Sequence, residues 1–159
     1  MAGLTMSRAQ AAGKQPDACA LIDPAQAGHI LGHPITVHPV NTSLAGPGAA
    51  SMCNYSSGRM QGGFMLLAAH LSVVDLAHEV ASEKKEIGDE SMKALKIKPK
   101  FEDVSGLGDA AFLVDSGGFL QLHIFAHGNK IVVNRNTKAT KKAVDETEQL
   151  ARAALARLK

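Results

Sequence analysis

Two glycine-centred turns, Ser116-Gly117-Gly118 and His127-Gly128-Asn129-Lys130, separate three short apolar runs at residues 110–114, 119–126 and 131–136. Strands joined by connections this short pair antiparallel, because a parallel crossover needs about a dozen residues or more. The last third of the chain is therefore committed to a meander. Further upstream, residues 35–40 alternate apolar and polar side chains, and Pro39 marks that run as an edge strand. Residues 51–56 and 63–71 read as a hairpin around Ser57-Gly58-Arg59-Met60-Gln61-Gly62, and residues 100–104 add one more strand.

Three segments carry helical periodicity. Asp23 suits an N-cap, Pro24 the first helical position, and Gln26 a capping box. Ala27, Ile30 and Leu31 form the apolar face, and Gly32 with Pro34 ends the helix. A second helix starts at Ser72, with Asp75 three residues on, carries Val73, Ala77, Val80 and Ile87, and stops at Gly88. A third spans residues 140–158, with Val144, Thr147, Ala151, Leu155 and Leu158 on one stripe and Arg152, Arg157 and Lys159 complementing the helix dipole. This order predicts an α+β fold: an antiparallel sheet of about six to seven strands with helices packed on one face. Ile30, Leu31, Val80, Phe112, Leu120, Leu122, Ile124, Val132, Leu155 and Leu158 are the expected core.

No internal repeat or linker divides residues 16–159, which read as a single domain; residues 89–100 are the expected mobile segment. Residues 1–15 lack apolar periodicity and read as a disordered tail. Ala9-Gln10-Ala11 has the form of a signal-peptidase site without an apolar stretch before it, so the tail is either a signal peptide represented in part or an alanine-rich extension. Nothing approaches the length of about 18 apolar residues that a membrane span requires.

Composition narrows function by exclusion. Aromatic residues are 4% of the chain, with no Trp and one Tyr, and the net charge is +2. Readers of nucleic acid stack bases on aromatic side chains within a basic surface. The two basic stretches, 93–100 and 138–142, contain no aromatic residue and read as solubilising lysines. No nucleic-acid partner is expected.

Cys19 lies just before the first helix and Cys53 in a predicted strand. Either they pair in a structural disulfide that pins the helix to the sheet, or they are two buried thiols packing as small hydrophobes. The absence of Cys-x-x-Cys and of a second cysteine cluster argues against a redox or zinc role.

Asp17-Ala-Cys-Ala-Leu-Ile-Asp-Pro, the Cys53-Asn-Tyr strand, Val104-Ser-Gly-Leu-Gly-Asp-Ala-Ala-Phe and the closing Leu150-Ala-Arg-Ala-Ala-Leu-Ala-Arg-Leu occur in this order. Together they resemble a group of small exported bacterial domains of unknown function, many of them lipoproteins. The resemblance spans residues 16–158. It implies a Cys19–Cys53 disulfide, a PsbP-like fold of antiparallel sheet backed by helices, and a periplasmic, cell-surface or secreted location. It brings no catalytic residues, and this chain lacks the lipobox cysteine of the lipoprotein members.

Among residues that carry chemistry, His29, His33 and His38 are candidate metal ligands, but Gly32 and Pro34 break the helical spacing between them. His123 and His127 share a strand face about 13 Å apart, too far for one ion, and read as solvated or edge-strand histidines. Glu83, Glu86, Asp89 and Glu90, interleaved with Lys84 and Lys85, read as ion pairs on a solvated helix face. Ser105-Gly-Leu-Gly-Asp109 precedes a strand rather than a helix and reads as a tight turn, not a phosphate loop. Gly-x-Ser-x-Gly is absent. The expectation is a non-enzymatic envelope protein without a cofactor that binds a protein partner or small ligand against its sheet or flanking loops. The alternative is a periplasmic metal- or small-molecule-binding protein that uses His29, His33 and His38.

Overall fold

The computed structural model describes residues 14–41, 50–58 and 62–159. Within them the chain forms α1 (Ala18–Leu21), α2 (Pro24–Leu31), β1 (Thr36–Val40), β2 (Ser51–Ser56), β3 (Phe64–His70), α3 (Leu76–Leu95), β4 (Lys100–Asp103), β5 (Ala110–Asp115), β6 (Leu120–Ala126), β7 (Asn129–Arg135) and α4 (Lys141–Arg157). The seven strands make one sheet in the order β1-β2-β3-β7-β6-β5-β4. Every neighbouring pair is antiparallel. The α+β class follows from this arrangement. No helix among the described residues is long and apolar enough to cross a membrane.

Local chemistry accounts for most boundaries. Asp23 caps α2 through its carboxylate, Pro24 opens the helix, and Gly32 closes it in the left-handed region at φ 75°. The turn between β6 and β7 has positive φ at both His127 and Gly128, the backbone of a two-residue type I′ hairpin, so β7 starts at Asn129 and not at 131. Asp75 is the N-cap of α3, which begins later than Ser72. Gly88 does not end that helix: it faces open space and is carried through, and residues 89–95 are helical. Ahead of α2, the short helix α1 is capped by Asp17. Residues 1–13, including Ala9-Gln10-Ala11, and residues 59–61 of the first hairpin loop lie outside the described residues. At the boundary Gln15 is tied to β3, its side chain donating to the Ala68 carbonyl and accepting from the His70 amide.

The expectation that the helices share one face is corrected. Helices α1, α2 and α4 cover one face, over a core that includes Leu66, Leu120, Leu122, Ile124, Ile131 and Leu150. Helix α3 lies on the other, over a separate cluster of Phe112, Val114 and Phe125. The topology requires this path. The link from β3 to β4 must pass from mid-sheet to the far edge, across β7, β6 and β5. Those strands are apolar on both faces, and α3 supplies the second cover with Leu76, Val80 and Ile87. Of the expected core, Ile30, Val80 and Leu155 are only partly buried, because each sits at the margin of its cluster.

The opposite end of the main core is anchored by α1. Cys19 and Cys53 form a disulfide with Cα atoms 5.2 Å apart. The buried Tyr55 hydroxyl donates to the Ile22 carbonyl at 2.9 Å and also approaches the Ala18 carbonyl at 3.3 Å. On β7, Arg135 donates through Nη1 to the Ala143 carbonyl and to Glu146, which fixes the start of α4 against the sheet.

Candidate functional site

Strand register places side chains of the α3 face in rows that run straight across the sheet. One row reads His38–Asn54–Met65–Asn134–Gln121–Val114–Phe101 and the next Val40–Met52–Leu67–Val132–His123–Phe112–Asp103. The right-hand ends of both rows meet α3 through Phe112, Val114 and Phe101. The left-hand ends, on β1, β2 and β3, carry no helix among the described residues, and His38 and Asn54 are exposed.

Two concavities follow from this half-cover. The first is a hollow of about 500 Å³ on the uncovered half, lined by His38, Asn54, Met65, Phe119, Asn134 and Asn136 among others. Phe119, at the mouth of β6, is 48% exposed although it is a large apolar side chain. Apolar surface from Met65 and Phe119 is therefore set among three amides and an imidazole, each able to donate and accept. A volume in this range and a few convergent polar groups are the usual make-up of a small-molecule site.

The second concavity is a cleft of about 460 Å³ between α3 and the sheet, lined by Glu79, Glu83, Glu86, Glu90, Gln121, His123 and Lys130 among others. Gln121 of the cleft donates to Asn134 of the hollow at 2.7 Å, so a single hydrogen bond joins their linings. At the base of the cleft, Glu83 Oε1 accepts from His123 Nδ1 at 2.7 Å and pairs with the Lys130 ammonium. Burial would push the Glu83 carboxyl up, but the hydrogen bonds from His123 and Lys130 outweigh it and hold the group below the usual carboxylate range. His123 stacks flat on Phe112, with centroids 4.8 Å apart. An ionised Glu83 selects the imidazole form that carries its proton on Nδ1. In the tautomer with its proton on Nδ1, Nε2 carries a lone pair, and that atom is buried without a partner among the described residues. This is the orientation a catalytic or metal-bound histidine uses, yet no hydroxyl, thiol or second ligand meets Nε2. A third groove, of about 740 Å³, follows the edge between α3 and β5 and holds the Lys84–Asp103 ion pair.

The candidate metal ligands do not converge. His29 is exposed on α2, His33 is half-buried after it, and His38 is exposed on β1 at the rim of the hollow. Among the described residues no three of His, Cys, Asp or Glu are arranged to hold an ion. His123 and Glu83 correct the sequence reading: neither is solvated, with 5% and 9% of their surfaces exposed. His127 is in the type I′ turn and not on the strand face. The available signal was the run Leu122-His123-Ile124-Phe125-Ala126, in which a lone histidine interrupts a strand apolar on both faces.

No family model matches the chain, and neither does any curated protein. Among solved structures it is similar to a GTP binding regulator from Thermotoga maritima, with 10% identity and a TM-score of 0.41, over 91% of this chain and 96% of that one. A likeness this distant carries no inference about function.

Proposed function

We propose that the protein is an exported bacterial envelope domain with a PsbP-like fold that acts as a non-enzymatic binding module, holding a small, largely uncharged ligand in the hollow on the uncovered half of its sheet. The observation that carries this reading is the row His38–Asn54–Met65, on which no helix sits among the described residues, with the exposed Phe119 beside it. Among the described residues α3 covers the other half of the sheet and no helix covers this one, so the hollow is lined by apolar surface together with amide groups. Export is supported by the Cys19–Cys53 disulfide, since such bonds persist in oxidising compartments, and by the sequence likeness to exported domains.

A fragment library screened by amide chemical shifts tests the proposal. Hits are expected to move His38, Asn54, Met65 and Phe119 together, and Phe119→Ala is expected to weaken them about tenfold by removing the main aromatic contact. The proposal fails if no compound moves these amides, or if the hits are indifferent to Phe119→Ala. A protein partner that covers the same row, with no small molecule entering the hollow, would also overturn it.

A further inference from the structure

We propose that the cleft beneath α3 is a second binding site, distinct from the hollow, and that it takes a linear aliphatic polyamine. Glu79, Glu83, Glu86 and Glu90 recur at the spacing of one helical stripe, so four carboxylates face the single ammonium of Lys130 across the cleft. Lys130 is committed to Glu83. Glu79, Glu86 and Glu90 make no ion pair with any described residue, while the neighbouring Lys84 and Lys85 turn away to Asp103 and Asp89. The cleft is therefore strongly negative on a chain whose net charge is +2.

A second observation points inward. His123, 5% exposed, lines the cleft and leaves Nε2 buried and unpartnered. In the tautomer that donates Nδ1–H to Glu83, Nε2 carries a lone pair and can accept from a donor. A buried polar atom left unmatched is costly, so a ligand N–H delivered there would supply the partner that Nε2 lacks among the described residues. Donor and positive charge together describe an ammonium group.

The spacing favours an extended ligand over a metal ion. Glu79, Glu86 and Glu90 are separated along the helix axis by about 10 and 6 Å. They do not converge on a point, in line with the absence of any three-ligand cluster among the described residues. An alkyl chain with ammonium groups a few carbons apart can meet successive carboxylates while its methylenes lie along Ile87, which also lines the cleft.

Calorimetric titration with spermidine at low ionic strength is the test. One equivalent is expected to bind, more weakly as salt rises. Glu86→Gln combined with Glu90→Gln is expected to weaken it about tenfold, the sum of two exposed charge pairs. Asp145→Asn combined with Glu148→Gln removes the same charge from α4 and is expected to change nothing. Nitrogen resonances of His123 give a second readout at a named atom: a new hydrogen bond should move Nε2 more than Nδ1, which is already bonded to Glu83. Equal weakening in both double variants would show a diffuse counterion atmosphere and overturn the proposal. So would magnesium displacing spermidine at equal concentration, or an unmoved His123 Nε2. None of these outcomes bears on the hollow, whose test uses Phe119→Ala.

Discussion

Glu83 Oε1 and His123 Nδ1 lie 2.7 Å apart although 40 residues separate them in the chain. This bond, with Lys130 on the same oxygen, is a buried polar tie between α3 and the sheet, beside the more exposed Lys84–Asp103 pair. Deleting one partner of a buried pair strands the others, so Glu83→Ala is expected to cost about 3 kcal/mol. Glu83→Gln keeps an acceptor and is expected to cost less. The bond also sets a pH dependence. The folded-state value of Glu83 is lowered from 4.5, so its stabilisation is complete above that value and is lost as pH falls through the lowered one. Urea midpoints measured down an acid series should fall more steeply for wild type than for Glu83→Gln. Parallel curves would show that Glu83 is not the ionised hub described above.

Tyr55 is the only tyrosine in a chain without tryptophan, so its ionisation is read without interference. Burial pushes its phenol up to about 12. A raised value means that the stabilisation is complete below the ordinary value of 10.0 and is lost as pH rises through the folded one. Ultraviolet absorbance should show phenolate appearing well above pH 10.0, together with unfolding. Tyr55→Phe leaves two buried carbonyls short of a donor and is expected to cost about 1–3 kcal/mol. A phenolate that forms near its ordinary value in the intact fold would mean that α1 does not seal Tyr55 as described.

How much of this was legible in the sequence differs by element. The run 51–56 coincides with β2, and the turns around the meander were set by Gly117, His127 and Gly128, whose backbone angles few other residues adopt easily. Helix α2 was readable from Asp23, Pro24 and Gly32. What escaped was the second face. Phe112 and His123 belong to runs apolar at nearly every position, and such runs signal cover on both sides, but alternation alone does not say which helix provides it. Glu83 is one of several acidic residues on α3, and only the path of the β3-to-β4 link over β6 singles it out. The hollow depends on the register of strands distant in sequence, Met65 opposite Asn134 above all. Local pattern carries no information on that pairing.

The Cys19–Cys53 disulfide closes a loop with a sequence separation of 34, for which chain entropy gives a stabilisation of about 4 kcal/mol. Mass spectrometry of unreduced protein should show the loss of two hydrogens, and Cys53→Ala should lower the melting temperature markedly. If the domain is exported as proposed, alkylation of intact cells before lysis should leave both cysteines unmodified. Alkylated cysteines, or a melting temperature insensitive to Cys53→Ala, would contradict a structural disulfide.

The two sides of the sheet should differ in stability, and Phe112 and Leu122 separate them. Both are fully buried on adjacent strands, and neither side chain touches the other's cluster. Leu122 faces the large core under α4, so Leu122→Ala is expected to cost about 2–5 kcal/mol and to destabilise the whole domain. Phe112 faces the small cluster under α3, where Lys84 also sits 5.2 Å from its ring. Phe112→Ala removes the centre of that cluster and the ring on which His123 stacks. Its expected cost is about 3–5 kcal/mol, concentrated in α3. Hydrogen exchange followed by mass spectrometry should show Leu76–Leu95 opening well below the global unfolding energy in wild type, and opening faster still in Phe112→Ala, with α4 little changed. Equal protection of α3 and α4 in wild type, or uniform acceleration in Phe112→Ala, would mean that the two faces unfold as one unit.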